Sequence, residues 1–227
     1  MEQDRTLAAL LDQAAWSREL PSGERARIDA EMLERRFATG GYVCRKGEPV
    51  EHWIGVIDGL VKMANVTPEG KSTTFTGVPA GGWFGEGSML KREPRRYYII
   101  AIRDTRVALM PRATFDRLLE TNIAFNRFLL VQLNERLSQF IGLVETERFH
   151  DPEGRVARCL AMLYNPQLSP GIGERLAISQ EEIGLLAGVS RQRVNQALQA
   201  LEKAALLRIE YGAVAILDLD GLRRFGG

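Results

Sequence analysis

Between Ser179 and Leu201 apolar positions fall at helical spacing twice in succession: Ile183, Leu186 and Ala187, then, after Gly188, Val194, Ala197, Leu198 and Leu201. Ser179 followed by Glu182 has capping-box spacing, in which hydroxyl and carboxylate each satisfy a free backbone N–H. Gly188 lets the chain reverse, and Ser190 can cap the second helix. The pattern predicts a helix-turn-helix. Its second helix leaves Arg191, Gln192, Arg193, Asn195, Gln196 and Gln199 on or near the open face, where side chains of these types suit base edges and phosphates. A helical hairpin inside some other domain would share the periodicity. The strand-like runs Arg208–Glu210 and Ala213–Leu217 around Tyr211-Gly212 instead supply the wing of a winged helix-turn-helix.

Upstream the pattern changes twice. Thr6 to Trp16 predicts a short amphipathic helix, and Pro21-Ser22-Gly23-Glu24 starts another running to about Arg36. From Phe37 the chain turns to short β-prone runs cut by Gly40-Gly41, Gly47, Asp58-Gly59 and Pro68-Glu69-Gly70-Lys71, which predicts a small antiparallel barrel or jelly roll. A glycine-rich interruption, Gly81 to Met89, precedes further strands at Arg95–Ala101 and Val107–Met110. Thr114 to Leu119 predicts a short helix and Ile123 to Thr146 a long one. On the long helix Leu130, Leu133, Leu137, Phe140 and Val144 alternate steps of three and four, the seam of a two-stranded coiled coil. Asp151-Pro152-Glu153-Gly154 breaks it and predicts a hinge. The expected α+β architecture is a β-roll sensor domain over 1–120, a dimerisation helix and hinge over 121–150, and a winged helix-turn-helix domain over 151–227.

Composition narrows the class without naming it. Hydrophobic residues at 45% and charged residues at 26% are ordinary for a soluble protein with a real core. No apolar run has membrane-spanning length and the start lacks a secretory pattern, so a cytoplasmic location and no membrane partner are expected. Net charge is only +1, so any affinity for nucleic acid has to come from local placement. Cys44 and Cys159 form neither a disulfide framework nor a zinc spacing and read as packing residues. With two histidines and no Ser/His/Asp set, metal spacing or P-loop, neither an enzyme nor a metal site is expected.

Within Gly81 to Met89, small residues around Gly85 and Ser88 let backbone N–H groups approach an anion. Glu86 is placed to accept from a sugar hydroxyl and Arg96 to meet a phosphate. As turn residues the same glycines would need no ligand.

The glycine-punctuated roll, Phe84-Gly85-Glu86, the seam helix and the late winged helix-turn-helix together resemble the Crp/Fnr family of bacterial transcription regulators, over nearly the whole chain. The resemblance implies a homodimer whose recognition helices enter successive major grooves of palindromic double-stranded DNA, with RNA polymerase as a further partner. It also implies a cyclic nucleotide or other small-molecule effector on Gly85, Glu86, Ser88 and Arg96, with Tyr97, Phe140 and Ile141 lining the rest of the pocket. Tyr97, Phe140 and Ile141 stand where cAMP-binding members carry hydroxyls, and losing such hydrogen bonds removes discrimination as well as affinity. The implied effector is therefore other than cAMP, or a cyclic nucleotide held differently, or the pocket is plugged by Tyr97 and Phe140. A constitutively DNA-competent regulator with a vestigial pocket, and a nucleotide-binding module with a protein partner, are the alternatives. An iron–sulfur cluster of the family's Fnr branch would need four thiolates, and haem would need His52, His150 or Cys44, which read as structural. For DNA the resemblance implies Arg191, Gln192 and Gln196 as base readers, with Ser179, Ser190 and Arg193 on phosphates and Asn195 beside them.

Overall fold

The computed structural model describes residues 5–67, 72–147, 151–170, 172 and 175–225. The chain opens with α1 (Leu7–Gln13), α2 (Ala15–Arg18) and α3 (Ser22–Glu31). Strands β1 (Leu33–Phe37), β2 (Tyr42–Cys44), β3 (His52–Asp58), β4 (Leu60–Val66), β5 (Ser72–Pro79) and β6 (Trp83–Phe84) follow. Next come α4 (Glu86–Lys91), β7 (Tyr98–Ala101), β8 (Thr105–Pro111), α5 (Arg112–Thr121) and the long α6 (Ile123–Glu147). The last part is α7 (Pro152–Leu163), β9 (Arg175–Ala177), α8 (Gln180–Ala187), α9 (Arg191–Lys203), β10 (Leu207–Glu210), β11 (Ala213–Ile216) and α10 (Leu219–Arg224).

Two four-stranded antiparallel sheets, ordered β1-β8-β3-β6 and β2-β7-β4-β5, make the expected roll. β3 is buried on both faces. Ile54 and Val56 meet Val61, Met63, Ile99 and Val107 between the sheets, while Trp53 and Ile57 turn outward beneath the helices. Trp53 stacks on Trp83 at 4.4 Å between ring centroids, and Trp16 meets Trp83 edge-on at 5.4 Å. Gly55 makes room for this layer: a Cβ there would lie 2.9 Å from Leu10 Cδ2 and 3.0 Å from the Trp83 ring. At the β3–β4 turn Gly59 holds φ 101°, a conformation that costs a side-chain-bearing residue free energy.

Two predicted boundaries are corrected. The first helix breaks at Ala14, whose backbone is extended, so that Leu11 and Trp16 can both be buried. The second ends at Met32, and Leu33–Phe37 is a strand. Leu, Glu and Arg are good helix formers, but here they form an edge strand on β8 with no buried face and hence no alternation to read. The Pro68–Lys71 turn lies outside the described residues, as does His150 at the hinge.

Asp151 caps α7. Its carboxylate accepts from Glu153 N and Gly154 N, and Pro152 sits where a helix start needs no N–H, so a new helix begins at once. The face it buries, Val156, Ala157, Leu160 and Leu163, packs with Ile183, Leu186, Val194, Ala197, Leu198 and Leu201 into the core of the C-terminal part. β9 adds a third strand to the wing hairpin, in the order β10-β11-β9.

Candidate effector cradle and nucleic-acid interface

Gly85 sits in the left-handed region at φ 96° and opens α4. A Cβ at this position would run into Arg95 Nη1, and the left-handed backbone itself favours glycine here. Arg95 is buried, its Nη2 donating to His52 O at 2.6 Å, while its Nη1 has no partner. Glu86 is buried beside it. Its Oε1 accepts from Arg136 Nε at 2.6 Å, and its Oε2 has no partner. Arg136 also donates from Nη2 to Trp83 O, tying α6 to the cradle. Each buried polar atom left unmatched costs about 1–3 kcal/mol, more when charged. One cation and one anion share that cost here.

The structure moves the predicted arginine by one place. Arg96 is exposed, its guanidinium forked onto Glu93 at 2.6 and 3.0 Å, and that pairing holds the Glu93 carboxyl at about 2. Arg95 takes the cradle instead. Two adjacent arginines cannot be told apart by counting from Glu86; both sit in the loop that precedes β7, and the path of that loop turns Arg95 inward and Arg96 to solvent. Tyr97 is half-buried, and burial followed by the nearby Glu86 pushes its phenol up, with Arg136, Arg95 and Cys44 also within electrostatic range. It packs against the core between the two sheets. Phe140 and Ile141, at 38% and 53% exposure, lie on the open stripe of α6. Ser88 is buried in α4. Arg136 escaped the sequence pattern because the seam claimed α6; its signal was a cation next to Leu137, inside the apolar stripe.

His52 is half-buried, and burial, with Arg35 nearby, pulls its imidazole down. Burial pushes the Cys44 thiol up and the Cys159 thiol to about 12. Among the described residues no group of three or more His, Cys, Asp or Glu side chains is placed to hold a metal, and no helix is long and apolar enough to cross a membrane.

In the reader, the capping box at Ser179 is complete: Ser179 Oγ accepts from Glu182 N at 3.2 Å and Glu182 Oε2 accepts from Ser179 N at 2.7 Å. Gly188 closes α8 at φ 64°, and Ser190 Oγ accepts from Arg193 N to start α9. With Val194, Ala197, Leu198 and Leu201 buried, Arg191, Gln192, Arg193, Gln196 and Gln199 stand exposed on one side. Asn195 differs: it is half-buried and accepts at Oδ1 from Gln180 Nε2 at 3.2 Å, which fixes its amide. The wing turn presents Tyr211 fully to solvent. Along α6, Ile123, Leu130, Val131, Leu137, Phe140, Ile141 and Val144 are exposed and Leu133 is half-buried.

Fold and sites together define a cyclic-nucleotide-binding-type roll joined by a long helix to a winged helix-turn-helix. Residues 34–122 match the family model of the cyclic nucleotide-binding domain, and residues 154–225 that of the Crp-like helix-turn-helix domain. The CRP-like cAMP-activated global transcriptional regulator of Mycobacterium tuberculosis is 29% identical over 202 residues, spanning 88% of this chain and 90% of the relative. The cAMP-activated global transcriptional regulator CRP of Haemophilus influenzae is 28% identical, spanning 74% of this chain and 79% of the relative. Among solved structures, FixK2 of Bradyrhizobium japonicum shares the fold at TM-score 0.67 and 20% identity, covering 86% of this chain and 98% of that one. The Thermus thermophilus catabolite activator protein does so at TM-score 0.51 and 23% identity, covering 92% and 98%. The chain belongs to the Crp/Fnr family of transcription regulators.

Proposed function

We propose that the protein is a cytoplasmic, homodimeric regulator that reads a palindromic DNA site under control of a phosphate-bearing effector. The exposed row Arg191, Gln192 and Gln196 on a helix whose other face is fully buried carries the reading. Arg191 can fork onto guanine O6 and N7, and each glutamine suits the adenine N6/N7 pair. Ser179, Ser190 and Arg193 lie at the two helix starts, where phosphates are met. Because Asn195 Oδ1 is occupied by Gln180, its N–H donors face outward, toward a phosphate or a base acceptor. The apolar stripe of α6 pairs two copies, with Leu130, Leu137, Phe140 and Val144 at the seam.

In the cradle, Arg95 Nη1 takes an anionic oxygen and Glu86 Oε2 accepts from a hydroxyl, the two groups that a cyclic nucleotide offers side by side. Gly85 gives the close approach, with Ser88 in the helix behind it. No hydroxyl from Phe140 or Ile141 is available to a purine edge, so the base is weakly discriminated and the effector is not specifically cAMP.

DNA binding by the purified protein to the promoter fragment of its own gene, followed with and without cAMP and cGMP, tests both parts. Specific, salt-sensitive binding is expected, with cAMP and cGMP affinities within about tenfold of each other. Failure to prefer that fragment over random DNA would sink the DNA-reading role. A strong preference for cAMP would sink the account of the base pocket.

A further inference from the structure

The roll and the reader are joined by more than α6. β7 starts three residues after Arg95 and ends at Ala101, and the next two residues, Ile102 and Arg103, cross to the reader. Arg103 Nε and Nη2 donate to the two carboxylate oxygens of Glu182 at 2.7 and 2.9 Å, and Nη2 also donates to Ala177 O at 2.8 Å. The fork is well shielded, with side chains 32% and 14% exposed. Glu182 is the capping carboxylate of α8, so one side chain serves both the helix start and the crossing.

Around this pair the contact is built. Leu60 and Ile102 of the roll are buried in the reader's own core. Thr74 Oγ1 donates to Leu185 O at 3.1 Å. On β5, Gly77 lets α7 and α8 come close: a Cβ there would lie 2.7 Å from Leu163 Cδ2 and 3.2 Å from the Leu186 methyls.

Arg103 grips the reader at a revealing place. Ile178 N donates to Gly212 O at the wing turn, and Gln180 donates to Asn195 on the recognition helix. The start of α8, the wing tip and the recognition helix therefore meet at one edge, the edge that faces the phosphate backbone when a helix-turn-helix docks. The roll brings Arg103 to it. We propose that Arg103 clasps the DNA-reading unit onto its own sensor, and that the clasped arrangement is the one with low affinity for DNA. The clasp presupposes the DNA-reading role given above. It also supplies a route inside one subunit, along β7 from Arg95 in the cradle to Arg103 at the reader, that bypasses the dimer helix.

Two variants of the full chain test it without nucleotide: Arg103→Ala, and Gly77→Leu as an uncharged wedge. Each is expected to tighten binding to the promoter fragment at least ~10-fold, with Arg103→Lys in between because an ammonium cannot fork. Removing a cation by itself weakens attraction to DNA, so a gain in Arg103→Ala runs against the charge effect. Hydrogen exchange over Ala177–Glu182 is expected to quicken in both variants. Unchanged or weaker DNA binding by both folded variants overturns the proposal, as does unchanged exchange. If neither wild type nor variants bind any DNA while exchange quickens, the clasp exists but the DNA-reading role has failed, and the inhibitory role falls with it.

Discussion

The cradle and the recognition surface use the same chemistry, arginines and polar side chains near a helix start, in opposite settings. In the reader, Arg191, Gln192 and Gln196 stand in water, and their hydrogen bonds in the free protein are to solvent. In the cradle, Arg95 Nη1 and Glu86 Oε2 are sealed from solvent with no partner. An exposed polar row costs nothing to keep and marks a partner that is large and brings its own surface. A buried unmatched pair is expensive to keep and marks a partner small enough to enter. The two sites also differ in what they demand of a second chain. Reading a palindrome requires two copies at fixed spacing, whereas Gly85, Glu86, Arg95 and Arg136 all come from one chain.

That last difference gives the strongest test. Leu137→Glu places a carboxylate on the exposed stripe of α6 in both copies, removing apolar burial worth about 1.5–3 kcal/mol per side chain and adding like-charge repulsion. Dimer dissociation should rise by roughly 100-fold or more by sedimentation. Specific DNA binding should fail, while nucleotide binding measured by calorimetry is retained. Next, Arg95→Ala should weaken nucleotide binding by about 1.5–3 kcal/mol, a charged hydrogen bond lost, and Arg96→Ala should leave it within about twofold. The reverse result would restore the one-residue shift and undo the cradle. On the reader, Arg191→Ala should cost about 1–3 kcal/mol and relax preference at a single guanine, seen by competition against single-base variants of the site.

The smallest expected effect concerns acid stability of the roll. Glu31 accepts from Arg117 at 2.9 Å and Thr114 at 2.6 Å, and Arg117 above all holds its carboxyl at about 2, against an ordinary value of 4.5. A depressed carboxylate stabilises the folded state fully above its unfolded value and loses that contribution as pH falls toward the folded one. Stability should therefore decline between about 4.5 and 2, and Glu31→Gln should flatten that part of a thermal-unfolding profile. An unaltered profile would place the acid sensitivity elsewhere.

The reader was legible because its information is local. Ser179 with Glu182, Gly188, Ser190 and the spacing of Val194 to Leu201 each act within one or two helical turns, and each is found where the sequence puts it. The roll was legible as a class from its glycine-punctuated strands, but not in register. β1 shows no alternation because neither of its faces is buried, and α7 was masked by the break that precedes it. Asn195 looked like its neighbours on the open face until Gln180, fifteen residues earlier, tied it down.

By itself the sequence determined the order of parts, the helix-turn-helix with its caps, the apolar stripe of α6 and the presence of Gly85-Glu86. Periodicity and capping depend on residues a few places apart, so those features are written along the chain. Only the tertiary structure decided that Arg95 and not Arg96 enters the cradle, that Arg136 reaches Glu86 across 50 residues, and that Arg103 grips Glu182 across 79. Each of these depends on which way a loop or a helix face turns when distant elements pack, and a shift of a single residue reverses the answer.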